Sequence, residues 1–257
     1  MSPSANQAAW LYQWSALEDD SEVLFREWIH PFRLEDFRGK AVLDGGCGGG
    51  SHLRLVASHA AEVVGVDLTC ADLAAERTRD LSCVSVQPGD LATLDLGRQF
   101  DVVYSVGVLH HTDDPDLCFR NLARHVKPGG RMIVWVYSHE GNFWNRALVE
   151  PLKRWVYGGW SRGLLMALAY ALTALLYLPI YTVYLLPLRF LPYYEYFANF
   201  RRLSFRRNLL NVFDKLNAPQ TTFLRQEEVR SWFARDFEDV HVSPYVGVSW
   251  RGSGVRI

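Results

Sequence analysis

One stretch of ten residues, VLDGGCGGGS at positions 42–51, constrains the fold of this chain more than any other. It contains an acid and then five glycines among six residues, and it follows a short apolar run. Helix-compatible residues come next, up to His59, so the pattern predicts a buried strand, a tight turn and the start of a helix. Glycine permits a positive φ and lets a ligand lie against the main chain, and the helix N-terminus offers unpaired N–H groups. The stretch therefore predicts a turn that handles a nucleotide.

Strand-like and helix-like segments alternate after this turn. We predict strands at 41–44, 62–66, 84–87, 100–105 and 131–137, helices at 51–59, 71–79 and 115–126, and later a helix at 226–233 followed by strands at 240–242 and 246–257. The helix near 115–126 should end at residues 127–130, which contain proline and two glycines. This order predicts an α/β fold, a doubly wound, mostly parallel, seven-stranded Rossmann-like sheet, with its ligand at the carboxyl ends of the strands.

The alternation breaks between residues 139 and 210, which are very apolar. We therefore predict a helical insertion there, after strand five. The chain would then divide into an N-terminal helical cap (1–38), a Rossmann-like core (39–138), the insertion (139–210) and the C-terminal part of the core (211–257). Aromatic residues crowd the predicted cap. They either pack on the sheet or, as one hypothesis for Tyr12 and Trp14, close over a bound ligand.

The glycine turn alone leaves the nucleotide open. Gly46 and Gly48 match the GxGxxG pattern of dinucleotide folds, but Ser51 stands at the third place. Asp67, at the end of strand two, could bind a ribose in either NAD or S-adenosylmethionine. Asp44 lies inside the turn, where a carboxylate would repel a pyrophosphate and attract the ammonium group of S-adenosylmethionine. Asp90, after strand three, could accept a hydrogen bond from an adenine amino group.

Five segments resemble the class I S-adenosylmethionine-dependent methyltransferases. They are VLDGGCGGG (42–50), VVGVDL (63–68), PGDL (88–91), FDVVYSVGVLHHTDDP (100–115) and VKPGGRMIVWVY (126–137). The resemblance implies S-adenosyl-L-methionine as cofactor. It also implies roles for particular residues: Asp44, Gly46, Cys47, Gly48 and Gly50 around the methionine part, Asp67 and Leu68 at the ribose, Asp90 and Leu91 at the adenine, and Ser105 and Val106 near the sulfonium.

His110 and His111 follow strand four, at the edge that faces the predicted cleft. Histidine has a suitable ordinary pKa for a general base, so we consider both as catalytic candidates, His111 first. The alternative is that they hydrogen-bond the local backbone or contact the acceptor. Further candidates for substrate contact are Tyr137, His139, Asp214 and Gln220.

The insertion combines an uncharged run with flanking positive charge. Residues 163–188 carry no charge, and residues 151–210 hold eight basic groups and one acid, a net charge of +7 against −8 for the rest. The run is long enough to span a bilayer, but a single crossing would separate the last two strands from their sheet. Three hypotheses remain: a lid over the acceptor pocket, a homodimer interface, or a contact with an anionic membrane surface.

Composition limits the expected cellular location and binding partners of the protein. The net charge of −1 gives no nucleic-acid signature, and four separate cysteines give neither a metal site nor a disulfide framework. Without a signal-peptide pattern, we expect a cytoplasmic protein, peripheral on the inner face of the membrane if the insertion binds lipid. We predict a methyltransferase acting on O or N of a small-molecule or lipid-linked acceptor. The alternatives are a non-catalytic S-adenosylmethionine-binding partner subunit and an NAD-dependent oxidoreductase.

Overall fold

A computed structural model describes residues 5–18 and 22–257. The centre of the fold is one seven-stranded sheet with the strand order β3-β2-β1-β4-β5-β7-β6. The strands are β1 Ala41–Gly45, β2 Glu62–Asp67, β3 Val84–Pro88, β4 Phe100–Val106, β5 Val126–Tyr137, β6 Phe237–Tyr245 and β7 Ser249–Arg256. The first five run parallel, and β7 pairs antiparallel with both β5 and β6. The predicted doubly wound, mostly parallel sheet is thus confirmed.

Helices flank the sheet and form a further layer beside it. They are α1 Ala5–Ala16, α2 Glu22–Trp28, α3 Ser51–Ala57, α4 Ala71–Thr78, α5 Pro115–Arg124, α6 Glu150–Leu152, α7 Arg162–Ile180, α8 Tyr194–Phe200, α9 Phe205–Asn217 and α10 Gln226–Phe233. The very short α6 lies between two π-helical turns, Asn145–Val149 and Lys153–Tyr157.

The predicted boundary between α5 and β5 is wrong. The helix expected over 115–126 ends at Arg124, and β5 begins at Val126 instead of 131. Val126 already pairs with Phe100 of β4, and Gly129 takes a φ of 74° before the regular pairing resumes at Arg131. The proline and glycines that were expected to end the helix therefore form the irregular first part of a strand.

Two apolar layers cover the two faces of the sheet. One contains Leu43, Val103 and Val134 together with α5 and α10 side chains such as Phe119 and Phe233. The other is built by residues of the opposite face together with side chains of α2 and α3. Because parallel strands lie between two helical layers, their apolar runs are buried on both sides.

The insertion begins and ends at the same place on the sheet. The chain leaves β5 after Tyr137 and returns at Leu224, where Ser138 and Leu224 form a parallel bridge. Leu224 N donates to Tyr137 O (3.0 Å), and His139 N donates to Leu224 O (2.8 Å). Helix α9 runs continuously across residue 210, where the sequence predicts the end of the insertion. The division into domains stays a prediction.

Helix α7 forms the centre of the insertion and packs against α9. Its buried face consists of Leu165, Ala169, Thr173 and Ile180. The three apolar residues among them join a cluster with α9 residues such as Phe213. Among the described residues it is the one helix long and apolar enough to cross a membrane, with a mean hydropathy of 1.9. Its outer face is apolar too, since Leu175 and Leu178 are 67% and 71% exposed. A surface helix of a globular protein normally has a polar outer face.

Candidate active site

A cleft of about 620 Å³ lies at the carboxyl ends of β1 to β4. Its walls come from the turns after these four strands, from α1, and from the segment around Asp214 and Gln220. This is the edge at which a doubly wound sheet binds its ligand. A second cavity of about 720 Å³ lies beside the segment 92–99 and contains none of the predicted site residues.

The glycine turn after β1 adopts the conformation that its sequence predicts. Gly46 and Gly48 have φ values of 90° and 51°, and the N–H groups of Gly46 and Cys47 both donate to Val66 O, at 2.7 and 3.0 Å. A Cβ on Gly46 would lie 2.4 Å from the Val108 side chain. The turn can therefore lie this close to its neighbours only with glycine at that position. Gly46, Cys47 and Gly48 line the cleft, whereas Gly50 lies outside the cleft wall.

Asp67 connects the ends of two strands. Its Oδ2 accepts from Gly48 N (2.9 Å), and its Oδ1 accepts from Thr69 N (2.9 Å) and Cys70 N (2.7 Å). These three bonds hold the carboxylate at the cleft wall beside the exposed Leu68. A carboxylate offers about four acceptor sites, so capacity remains for a ligand hydroxyl.

Asp44 lies beneath the turn instead of in the cleft wall. It is 2% exposed, and its Oδ2 accepts from the Tyr104 hydroxyl (2.9 Å). Burial raises its pKa from 3.8 to about 7, although the nearby His52 and the Tyr104 hydroxyl act in the opposite direction. The carboxyl group is thus close to a balance between its neutral and charged forms, and a cation in the cleft would favour the charged form.

The remaining predicted cofactor residues divide between the cleft and the core. Asp90, Leu91 and Val106 line the cleft, and Asp90 Oδ1 accepts from Ala92 N (2.9 Å). Ser105 is fully buried instead, and its hydroxyl donates to Gly45 O (2.7 Å). That bond ties β4 to β1 directly beneath the turn.

His111 lies in the cleft wall with a defined tautomer. Its Nδ1 lies 2.9 Å from the carbonyl oxygen of Gln220. A carbonyl can only accept, so Nδ1 carries the hydrogen and Nε2 keeps its lone pair. Burial lowers the pKa of His111, while Asp214 acts to raise it. The ring is therefore neutral at neutral pH and able to take up a proton.

Three other predicted residues lie outside the cleft wall. His110 is fully buried and packs against the rings of His111 (4.1 Å) and Tyr137 (4.3 Å), and burial holds its pKa well below the ordinary value. The Tyr137 hydroxyl donates to Asp214 Oδ2 (2.9 Å). His139 Nε2 lies 2.6 Å from the Arg146 guanidinium. Of the histidine pair, only His111 thus borders the cleft.

Asp214 and Gln220 reach the cleft from the end of the insertion. Asp214 lies in α9, and Gln220 follows that helix. The Gln220 side-chain amide donates to Asp113 Oδ1 (2.8 Å) and to the His111 carbonyl oxygen (3.3 Å). The segment after α9 is therefore bonded to the turn after β4.

Helix α1 covers one side of the cleft, and of its two predicted aromatic residues only one lines the cleft wall. Trp14 lines the cleft, whereas Tyr12 lies outside its wall and packs against Phe213. Asn6 and Trp10, which the sequence analysis missed, share the Trp14 face because residues four apart lie on one side of a helix. The i, i+4 spacing of Asn6, Trp10 and Trp14 was the sequence signal that could have identified them.

Other lining residues were also missed. They belong to turns whose neighbours were predicted, and they include Gly49, Ser51, His52, Thr69, Gly107, Thr112, Asp113 and Asp114. Asp113 and Asp114 stand in the motif HHTDDP, so this motif contributes more to the cleft wall than its histidines.

Comparison with known proteins agrees with this architecture. Residues 43–134 match a family model described as a methyltransferase domain. A ubiquinone biosynthesis O-methyltransferase of Pseudomonas syringae pv. tomato is 38% identical over 115 residues, which cover 40% of this chain and 50% of that protein. The protein of the same name from Chromobacterium violaceum is 34% identical over 134 residues, 47% of this chain and 55% of the relative. The chain thus spans about half the length of the curated relatives it matches.

Two solved structures share the fold over nearly the whole chain. One is the N-methyltransferase NodS from Bradyrhizobium japonicum WM9 with S-adenosyl-L-homocysteine, at a TM-score of 0.55 and 12% identity, covering 98% of this chain and 99% of that one. The other is a complex of the Haloferax volcanii Trm112 methyltransferase activator with a methyltransferase, at a TM-score of 0.59 and 16% identity, covering 100% and 99%.

The strand order and the cleft define an α/β protein of the nucleotide-binding type. The match of residues 43–134 to a methyltransferase domain confirms the predicted resemblance of this segment to the class I S-adenosylmethionine-dependent methyltransferases. The matched domain supports the predicted enzyme class and cofactor, S-adenosylmethionine, which are proposals for the whole chain. The roles of individual residues stay predictions.

Proposed function

We propose that the protein transfers a methyl group from S-adenosylmethionine to a hydroxyl group of a small, lipid-linked acceptor. The observation that carries this proposal is the His111 ring in the cleft wall, with Nδ1 bound to the Gln220 carbonyl and Nε2 left with its lone pair. A hydroxyl acceptor must lose its proton during transfer, and a neutral imidazole can take it. The printed names of the relatives, O-methyltransferases of ubiquinone biosynthesis, support oxygen over nitrogen.

The side chains around the cleft fit the cofactor. Asp67 would bind the ribose hydroxyls, Asp90 and Leu91 would frame the adenine, and the main chain at Gly46 to Gly48 would contact the methionine part. Asp44, beneath the turn, would offset the ammonium charge. When bound, S-adenosylmethionine supplies an electrophilic methyl group, whose carbon–sulfur bond breaks as the acceptor oxygen bonds to the carbon. The protein aligns the two reactants and accepts the hydroxyl proton at His111 Nε2.

A transfer assay with a histidine variant tests this proposal. We expect radiolabel from the cofactor to enter an organic-soluble product of a cell extract as an alkali-stable ether, since alkali would release a methyl ester. His111→Gln should lower transfer by roughly 10²- to 10⁴-fold. It should retain binding of S-adenosylhomocysteine in calorimetry, because the residue is assigned to proton transfer.

The exposed His241→Gln, on β6, serves as the matched control and should transfer like wild type. Label in a water-soluble product alone would contradict the lipid-linked acceptor. Full activity of His111→Gln would contradict the assignment of the base.

We further propose that the insertion binds an anionic membrane surface at the cytoplasmic side, where a lipid-linked acceptor would be found. Its exposed side chains are apolar and aromatic, including Trp155 (81% exposed) and Phe190 (80% exposed). Exposed arginines accompany them, among them Arg154 and Arg189. Aromatic and apolar side chains beside basic groups are typical of interfacial membrane contacts. Both ends of the insertion meet at Ser138 and Leu224, which argues for an in-plane contact over a single crossing.

Vesicle flotation tests the membrane contact. Wild type should float with vesicles that contain phosphatidylserine, and the double variant Trp155→Ser, Phe190→Ser should lose most of this binding. The matched control is Val23→Ser, which changes an exposed apolar residue in α2. Equal flotation of wild type and the double variant would contradict the proposal. If the protein instead sediments as a dimer and does not bind vesicles, the apolar face would be assigned to contact with a second copy of the chain.

A further inference from the structure

Asp214 is held by two neutral donors in a geometry that defines its charge. Gln13 Nε2 donates to Oδ1 (3.0 Å), and the Tyr137 hydroxyl donates to Oδ2 (2.9 Å). The orientation of the Gln13 amide follows from its other end, because Asn217 Nδ2 donates to Gln13 Oε1 (3.0 Å). Both oxygens of Asp214 therefore accept hydrogen bonds, which is the arrangement of an ionised carboxylate.

The network around Asp214 is rigid as well as buried. Gln13 and Asn217 are each 1% exposed, and Asn217 Nδ2 also donates to Ala9 O (3.0 Å), which ties α9 to α1. The donors to Asp214 are uncharged, so neither supplies a compensating positive charge. Burial alone would raise the pKa of Asp214, but the pKa is lowered, because the His111 ring, the Gln13 donor and Lys215 together outweigh burial.

Asp214 and His111 border the same cleft from different parts of the chain. His111 follows β4, whereas Asp214 belongs to α9 at the end of the insertion. Tyr137 connects them, because its hydroxyl bonds Asp214 and its ring lies 5.9 Å from the His111 ring. Nδ1 of His111 is occupied by the Gln220 carbonyl. Any proton that the ring gains must therefore go to Nε2, and the resulting positive charge forms near a fixed carboxylate.

We propose that Asp214 is a positioning residue for His111: its carboxylate, oriented by Gln13 and Tyr137, stabilises the imidazolium that forms when Nε2 takes the hydroxyl proton of the acceptor. In this step the acceptor O–H bond breaks, an N–H bond forms on Nε2, and the oxygen keeps the electron pair with which it attacks the methyl carbon. The proposal rests on the proposed role of His111 as general base. It assigns to the insertion a part in the chemistry, in addition to its outer apolar face.

The His111 ring titrates among several charged and titratable neighbours, and all of them must be considered. They are His110 on the same turn, Tyr137 on β5, Asp214 and Lys215 on α9, Glu150 and Lys153 at α6, and Asp113, which is bonded to Gln220. Asp214 is the largest of the contributions that raise the pKa of His111. Loss of this carboxylate should therefore make the ring harder to protonate.

Titration of His111 by NMR tests the proposal without an acceptor. Histidine-labelled protein is titrated with saturating S-adenosylhomocysteine, and His111→Gln assigns the signal. Asp214→Asn should lower the pKa of His111 by about one unit or more. The matched control, Glu195→Gln, removes an exposed carboxylate elsewhere on the insertion and should leave the titration unchanged. In the transfer assay, Asp214→Asn should lower kcat at least about tenfold with little change in KM, since it acts on the transition state.

An unchanged titration of His111 in Asp214→Asn overturns the proposal, as does an equal shift in Glu195→Gln. If Asp214→Asn does not fold, the NMR signal of the Asp214 carboxyl group in the wild type serves as the test instead. It should shift at the pH at which His111 titrates, and independence of the two signals overturns the proposal. Absence of S-adenosylhomocysteine binding to wild type would contradict the proposed function instead, so the two failures are distinguishable.

Discussion

The sheet core, residues 39–138, and the insertion, which runs from residue 139 to the return of the chain at Leu224, differ in where they keep their apolar side chains. The inner strands of the core are buried on both faces, and Leu68, at the cleft, is the one large apolar residue of the core among the exposed ones described. Sixteen of the twenty exposed large apolar side chains among the described residues lie between 143 and 190. Patches of this kind usually mark an interaction surface. The comparison teaches that composition alone does not show whether an apolar run is core or interface.

The largest contrast should come from the same substitution in both regions. Leu43→Ala, fully buried in β1, should lower the free energy of unfolding by about 2–5 kcal/mol. Leu175→Ala, on the outer face of α7, should change it by less than about 0.5 kcal/mol, and it should weaken vesicle binding. Urea unfolding and flotation measure the two effects. A large loss of stability in Leu175→Ala would show that its face is covered by protein.

A second contrast concerns the buried carboxyl group of the core. The folded-state pKa of Asp44, about 7, exceeds the ordinary value of 3.8, so in this window the folded protein holds a proton that the unfolded chain has lost. Stability without cofactor should therefore fall as pH rises through that range, by up to about 4 kcal/mol from this group. Asp44→Asn should remove this part of the pH dependence in urea unfolding. The exposed Asp72→Asn should keep it, and an unchanged pH profile of Asp44→Asn would refute the prediction.

The third contrast compares the effect of a glycine substitution in the core with that of one in the insertion. Gly46→Ala places a side chain at a φ of 90° against Val108, and strain of about 1–3 kcal/mol should weaken S-adenosylhomocysteine binding roughly ten- to hundredfold. Gly163→Ala, in the first turn of α7 with open space around it, should bind like wild type. Calorimetry measures both. Equal affinity of the two variants would mean that the turn after β1 adapts to a side chain.

The smallest effect should come from single basic residues of the insertion. Arg154→Gln and Arg189→Gln should each weaken binding to anionic vesicles about fivefold, since a basic residue near an anionic surface contributes about 1 kcal/mol. Added salt should reduce the difference from wild type, because it screens the charges. The control is Arg230→Gln, exposed on α10. Equal losses in all three variants would point to net charge instead of a local surface.

The core was predictable because its signals are local. The glycine turn and the acids at the ends of β1 and β2 each depend on neighbouring residues, and the sheet that they predict is the one observed. The end of α5 was not predictable in the same way, since the pairing of Val126 with Phe100 decided it from a distance. The sequence offered Tyr12 and Trp14 alike, and only the packing of α1 against α9 placed Tyr12 on Phe213 and Trp14 at the cleft.

The sequence by itself determined the fold class and the position of the cleft, because strand and helix periods and turn chemistry act over a few residues. Only the tertiary structure decided which acids border the cleft. Asp67 and Asp90 line it, whereas Asp44 lies beneath the turn. It also brought Asp214 next to Tyr137, 77 residues away in the chain, and against Gln13 of α1. Contacts of this kind depend on how the insertion folds back to Leu224, which no local pattern records.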